Sequence, residues 1–432
     1  MANLMWVTPH VECGQSELVY DSPRLVQNEI DHDYWAYLMP KNTIIQGNPI
    51  MFEIEAGSDF IDLSQSTLKV RVKLTLENGD PITAESKCSP VNNTLHSMFQ
   101  QITVSLKDTV ISQANNCYSY RAYLENLLNY SSSAKHSWMK AFGWEDDVAG
   151  RFDLETNPAF AKRRTPFLNG GVLELKGRLH CDIAFQPRLI PSNLDVRIVL
   201  TPSSPEFCIQ SFDEGEKYKL VIESAILCVR KVKLTPSKQI QFERVIARSP
   251  ARIPINYIHM KTCSIAAGLT SYAQDSIFSG PLPNYIFLAM VDNAAFSGKY
   301  SANPFNFKNY DLRTLVLNFN GRSIPSRPLT PNFGRGHYLD CYETLFRSMG
   351  TYYSDGDNGI SLELYANGST IYGFNLGSDN CAHNDGLISG NIDVNIRFGA
   401  PLAQTITMVL YAQFSNTIRI DQHRNVLTDV TV

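Results

Sequence analysis

No stretch of this 432-residue chain approaches the 18 or so consecutive apolar residues of a membrane-spanning helix. The first residues, Met1-Ala2-Asn3-Leu4-Met5-Trp6-Val7, carry no basic group and run into Pro9 and His10, so no secretory leader is expected. Charge is scarce at 19% Asp, Glu, Lys and Arg, against about 25% in an average soluble protein, which suits a surface partly covered by partners. A basic excess is missing too. With 38 basic and 42 acidic residues the net charge is −4, which argues against a protein that coats nucleic acid by itself. The nine cysteines, from Cys13 to Cys381, are odd in number and scattered, with no Cys-x-x-Cys pair. Neither a disulfide framework nor a zinc ribbon is expected, but reduced and mostly buried thiols in a reducing compartment.

What the chain has in quantity is apolar and aromatic matter: 44% hydrophobic residues, with 22 Phe and 20 Tyr. That is enough for a large core, and the length suits two domains. The clearest local pattern is alternation. Leu68, Val70, Val72, Leu74 and Leu76 interleave with Lys69, Arg71, Lys73 and Thr75 before the turn Glu77-Asn78-Gly79-Asp80, the signature of a strand with one wet face. Similar period-two runs begin at Ile102, Leu194, Ile392 and Met408. Tyr285 to Val291 is continuously apolar, and Phe319-Asn320-Gly321-Arg322 predicts a tight hairpin. Helical spacing is confined to Tyr120/Leu124/Leu127/Leu128, to Tyr338/Tyr342/Leu345/Phe346, and to a segment from Thr235-Pro236 toward Pro250, where Thr can cap and Pro takes the first helical position. The predicted class is all-β with short helical insertions.

The chain also repeats itself. The twelve residues Leu189 to Leu200 align without a gap to Leu387 to Phe398, and half of the positions are identical, including Asn193/Asn391, Asp195/Asp393 and Val196/Val394. Tyr120, Glu125 and Leu127 fall on Tyr338, Glu343 and Leu345, and Ile102/Val104/Leu106/Ile111 fall on Leu315/Leu317/Phe319/Ile324. The order strand, helix, Asn-x-Asp-Val strand, final strand recurs. The expected organisation is an N-terminal arm (1–40), a first jelly roll (41–234) and a second (235–432), each of about eight antiparallel strands in two facing sheets. Strand counting alone leaves open a seven-stranded immunoglobulin-like sandwich. The arm either packs on its own roll or reaches a neighbour. The excursions 131–170 and 325–390 are too long for ordinary connections and are expected to carry function or bury an interface.

Chemistry is harder to find, and no catalytic residue, metal ligand or cofactor site is assigned. His-x-His is absent. His10 and Cys13 lie in the arm, while His180 and Cys181, if adjacent on a strand, point to opposite faces. Asp355-Gly356-Asp357-Asn358-Gly359 starts like a calcium loop but lacks its sixth-position Gly and twelfth-position Glu, so a surface turn is expected. Asp195 and Asp393 read as backbone-bonding residues at a strand start. The basic clusters, Lys162-Arg163-Arg164 and Arg230-Lys231-Val232-Lys233, read as a solvated loop or inter-subunit ion pairs rather than phosphate ligands.

Five runs taken together carry a resemblance: Phe60-Ile61-Asp62-Leu63-Ser64, Leu95-His96-Ser97-Met98-Phe99, Tyr118-Ser119-Tyr120-Arg121-Ala122-Tyr123-Leu124-Glu125, Val229-Arg230-Lys231-Val232-Lys233-Leu234 and Asn303-Pro304-Phe305-Asn306-Phe307-Lys308. Over nearly its whole length the chain resembles the major capsid proteins of Polinton (Maverick) elements and adintoviruses. The resemblance implies a double jelly roll without enzymatic activity or cofactor. It also implies homotrimeric capsomers that meet neighbouring capsomers and penton and minor capsid proteins, in an icosahedral virion shell that encloses double-stranded DNA; the net charge of −4 adds the expectation of little direct DNA binding, and the lack of a long apolar run that of no membrane span. Synthesis in the host cytoplasm goes with that reading. The competing reading is a carbohydrate-binding or carbohydrate-active jelly-roll protein.

Overall fold

A computed structural model of the chain describes residues 29–354, 357–377 and 389–428. Besides the short pair Cys88–Pro90 and Ile209–Ser211, eight strands build the first roll: β1 (Ile30–Leu38), β2 (Ile50–Ile54), β3 (Phe60–Leu76), β4 (Phe99–Leu106), β5 (Thr109–Gln113), β6 (Val172–Gly177), β7 (Val196–Pro202) and β8 (Tyr218–Leu234). They pair antiparallel in two sheets of order β1-β8-β3-β6 and β2-β7-β4-β5. The second half supplies β9 (Ala251–Ile265), β10 (Ser271–Pro281), β11 (Tyr285–Asp292), β12 (Leu312–Phe319), β13 (Arg322–Leu329), β14 (Ile371–Asn375), β15 (Ser389–Phe398) and β16 (Ile406–Ile420). Their orders are β9-β16-β11-β14 and β10-β15-β12-β13, with Val426–Thr428 added to β16. Adding eight to each number in the first pair of sheets gives the second pair. That is an eight-stranded jelly roll made twice.

Each roll forms for the reason its alternation predicts. Leu68, Val70, Val72 and Leu74 of β3 are buried between the sheets, whereas Lys69, Arg71 and Lys73 stand on the outer face. The repeated aspartates do the same work in both rolls. Asp195 Oδ1 accepts the Ala56 amide at 2.6 Å, next to β2, and Asp393 Oδ1 accepts the Ser276 amide at 2.8 Å, in the bulge of β10. Their register also corrects the sequence alignment of the preceding strand. Leu106 pairs with Val196, and Leu317, not Phe319, pairs with the equivalent Val394. The second hairpin runs two residues further before turning at Asn320 and Gly321, both in the left-handed region (φ 47° and 81°). A shift of two preserves which side chains face the core, so the pattern alone does not register it. Asn193 and Asn391 differ locally: Asn193 precedes β7 in a left-handed turn (φ 60°), whereas Asn391 is already inside β15.

Helices lie where spacing predicts: α1 (Tyr118–Asn129), α2 (Pro236–Arg248) and α3 (Leu339–Ser348). Pro236 takes the first position of α2, but the Thr235 hydroxyl bonds the Glu29 carbonyl rather than capping the helix. Residues 30–38, assigned to the arm from sequence, are an edge strand of the first roll, and residues 1–28 lie outside the described part. The excursion from 325 is not irregular throughout: β13 runs to Leu329, and α3, the helix Leu362–Ala366 and β14 follow. Six cysteines are buried free thiols and Cys263 is half-buried; Cys13 and Cys381 lie outside the described residues.

Candidate functional site at the seam between the rolls

The chemistry of this chain is concentrated where its two rolls meet. Helix α1, on the excursion between β5 and β6, is buried at every position from Tyr118 to Leu128 because it lies between its own roll and the outer face of the β9-β16-β11-β14 sheet. Leu124 and Leu128 meet Phe287 and Tyr411 of the second roll around a void of only about 10 Å³. Tyr123 stacks on Phe305 with ring centroids 4.1 Å apart, and Tyr120 stacks on Phe296 at 5.4 Å. Contacts this close between large apolar rings bind the two rolls into one body. They also explain the continuous apolar run in β11. Ile286 to Val291 are buried on both faces, and on the outer one Phe287 meets Leu124 and Leu128 of α1.

Within this apolar seam sits a set of charges. Arg121, 1% exposed, donates from Nε to Glu125 Oε1 at 3.0 Å and from Nη2 to Asp182 Oδ1 at 2.7 Å. The second roll adds one donor to each carboxylate, the Tyr411 hydroxyl on Glu125 at 3.2 Å and the Ile258 amide on Asp182 at 3.1 Å. His180 Nδ1 lies 2.5 Å from Glu125 Oε2, and the His180 ring stands edge-on to that of His96 at 4.6 Å. Burial alone would raise the Glu125 carboxyl, but Arg121 and His180 outweigh it and hold it down at about 2. Burial holds His96 well below the usual imidazole range, with His180 adding to it, and burial likewise lowers His180 against the pull of Glu125.

A second joint involves the run Asn303 to Lys308. The Asn303 amide, Asn306 Nδ2 and Lys308 Nζ all reach Asp153 of the first roll's excursion, at 2.7, 2.6 and 3.0 Å. A third involves Lys135. Its buried ammonium donates to the Leu127 carbonyl at 2.7 Å and to the Asn358 carbonyl of the second roll, and burial lowers its pKa to about 8.

Several sequence expectations change here. His180 and Cys181 are not on a strand but follow β6, both buried, and His180 is not isolated. Arg163 is neither solvated nor inter-subunit: it is buried against Asp147 at 2.9 Å and donates to the Pro90 carbonyl, while Arg164 donates to the Ser86 carbonyl. Arg230 bridges Asp33 and Asp62, at 2.7 Å each, tying β1 and β8 to β3. Asp357 accepts the Ser132 amide at 3.0 Å, a structural bond rather than a metal ligand; Asp355 and Gly356 lie outside the described residues, as do His10 and Cys13. Among the described residues no cluster of His, Cys, Asp or Glu is arranged to hold a metal ion. Sequence reasoning missed Asp147, Asp153 and Asp182. A lone acid between unlike neighbours has no periodic signal, and its partners are distant along the chain.

Comparison with known proteins gives a consistent picture. No protein-family model matches the chain. An uncharacterised protein of Caenorhabditis elegans is 25% identical over 425 residues, covering 94% of this chain and 99% of the relative. Among solved structures, the Sputnik virophage shows a chain with a TM-score of 0.63 at 12% identity, with 98% of this chain and 93% of that one covered. The Faustovirus major capsid protein gives 0.59 at 8% identity, covering 93% and 92%. The mavirus major capsid protein gives 0.54 at 11% identity, covering 97% and 94%. Over nearly its whole length, then, this chain has the double jelly-roll fold of those viral major capsid proteins.

Proposed function

We propose that this chain is a structural major capsid protein, of the kind found in Polinton (Maverick) elements and adintoviruses. Three copies form a capsomer of near-hexagonal outline that tiles an icosahedral shell around double-stranded DNA. The observation that carries the reading is two rolls of identical strand order joined through the buried helix α1; we take residues 41–234, with the edge strand Ile30–Leu38 added, and 235–432 as the two units. Three such chains around an axis present six similar lobes, which a closed lattice can accommodate. The relatives of like fold support the role. Neighbouring capsomers, penton and minor capsid proteins are the partners, and the virion shell is the location. Among the described residues no helix is long and apolar enough to cross a membrane.

The carbohydrate reading finds less support. The cavity of about 340 Å³ beside Tyr120, Phe207 and Phe296 has no carboxylate in its wall, whereas glycoside hydrolysis uses a pair. Direct DNA binding is weak in this proposal, because Arg163, Arg164 and Arg230 are engaged inside the chain. Light scattering on the purified protein tests the assembly. Three chains of 48.5 kDa give about 146 kDa, and a monomer persisting across micromolar concentrations overturns the reading. Titration into labelled duplex at several salt concentrations tests the second point: affinity no tighter than about 10⁻⁶ M with a shallow salt slope is expected, and nanomolar binding with a steep slope refutes it.

A further inference from the structure

Alternate connections carry the chain to opposite ends of the paired rolls. The long ones, β3 to β4, β5 to β6, β7 to β8, β11 to β12 and β13 to β14, gather at one end, where Asn303 meets Asp153 and Gly150 meets Asn367. Helix α2 lies at the other end, with Arg424 between Glu243 and the Ser192 carbonyl. At the first end, beside the seam, both rolls wall the cavity of about 340 Å³. The first roll contributes residues at the start of β4, after β5 and after β7, and the second contributes Thr262 of β9 with Phe296 and Ser297 after β11. Among the described residues no acidic or basic side chain lines it. Tyr120, Phe207 and Phe296 form one continuous aromatic wall, because Tyr120 stands edge-on to Phe207 at 5.7 Å and is stacked on Phe296. Three exposed amide side chains complete the lining, those of Gln100, Asn115 and Asn116, and none of them bonds another described residue. Asn115 and Asn116 are consecutive left-handed residues (φ 48° and 58°), a conformation that is costly for most side chains and that Asn tolerates.

We infer that this cavity binds a neutral sugar ring, a hexose or an N-acetylhexosamine at the end of a glycan. Its volume falls within the range of small-molecule sites, which favour the boundary between domains. A charged ligand would lose water there without gaining a partner, so the occupant is neutral. A side-chain amide both donates and accepts, which matches the neighbouring hydroxyls of a sugar, each itself a donor and an acceptor. The aromatic wall suits the apolar C–H face of the ring. A flat nucleobase is held by stacking between side chains on both of its faces, whereas here the rings share a single wall. Binding, unlike hydrolysis, needs no pair of carboxylates. The consequence for function rests on the capsid reading above. The cavity lies at an end of the rolls rather than in the middle of a sheet face, so lobes packed side by side leave it uncovered and a shell carries one per chain. Many weak sites then hold a glycan-bearing surface through avidity.

The test is titration calorimetry and saturation-transfer NMR on the full-length protein with glucose, galactose, mannose, N-acetylglucosamine and N-acetylgalactosamine, and with glucuronic acid, adenosine and uridine for comparison. At least one neutral sugar is expected to bind saturably with a Kd on the order of 1 mM, ordinary for a ligand of that size. Glucuronic acid binds more weakly than glucose. Asn115→Gly/Asn116→Gly removes two amides while keeping the left-handed backbone, which Gly adopts freely, and weakens the sugar by about tenfold or more. Thr262→Trp places a ring in the cavity from an exposed strand position and abolishes binding. Circular dichroism and melting show that each variant folds; should one fail, Gln100→Leu at the start of β4 takes its place. Saturable binding of none of the neutral sugars, binding that the folded variants leave unchanged, or a preference for adenosine or uridine overturns the inference. Each of these outcomes leaves the capsomer proposal standing, since light scattering decides that one separately.

Discussion

Replacing Arg121 with Met tests whether the charges in the seam act as a bolt between the rolls. The side chain is 1% exposed and, among the described residues, is the one arginine or lysine paired with Glu125 and Asp182, themselves 5% and 1% exposed. Met fills similar volume, so little cavity is created, but two carboxylates are left buried with a tyrosine hydroxyl, an amide and an imidazole as their support. Breaking a buried pair by removing one partner costs about 3–5 kcal/mol, far more than the net value of an intact pair. Tyr411→Phe removes a single bond to a charged group and is expected to cost about 1.5–3 kcal/mol. The assay is urea unfolding followed by tryptophan fluorescence and circular dichroism. Trp144 is buried at the seam, stacked on Tyr123, whereas Trp35 and Trp138 are exposed, so a red shift of the buried component of the fluorescence reports separation of the rolls. Arg121→Met is expected to lower the midpoint well below that of Tyr411→Phe, and to let the fluorescence transition precede the loss of β-sheet signal. A loss under about 1 kcal/mol with coincident transitions would refute the idea that this network joins the rolls.

Three further outcomes follow from the same geometry. Because burial depresses both His96 and His180, the unfolded chain takes up protons below about pH 6.5 that the folded chain refuses. Stability therefore falls as pH drops through that value, and again from about 4.5 toward 2 as Glu125 loses its advantage; urea midpoints from pH 8 to 2 measure it, and His96→Phe should flatten the first decline. Gly373 of β14 lies under α3, where a Cβ would stand 2.1 Å from Ser348 Oγ, so Gly373→Ala is expected to cost about 1–3 kcal/mol by thermal melting, and a neutral result would show that the helix can lift without penalty. Asp153→Ala strips three donors of their acceptor and should expose the 298–311 segment to protease at unchanged β-sheet content; unaltered cleavage would count against the joint.

The runs that carried the resemblance turn out to be the joints of the molecule. Tyr118 to Glu125 is the buried helix, Asn303 to Lys308 is the segment that grips Asp153, and Leu95 to Phe99 carries His96. Arg230 and Asp62, from two other runs, pair across β8 and β3. Their residues are constrained on several sides at once, which is why they are distinctive in combination.

Period-two alternation, the Asn-Gly hairpin and the repeated Asn-x-Asp-Val strand were enough to determine an all-β chain folded twice, because each of these signals depends on neighbours within a few residues or on direct self-comparison. The contrast between a wholly apolar β11 and an alternating β3 was also legible, though not its meaning. Only the tertiary structure decided that the first covers a seam and the second faces outward, since that depends on which surfaces meet across more than 150 residues of chain. The same holds for Glu125 and Glu343. Aligned in sequence, one is enclosed between Arg121, His180 and Tyr411, and the other pairs on the surface with Arg347. A residue type records what a position can do, but the dielectric and the partners that fix its chemistry come from the packing around it.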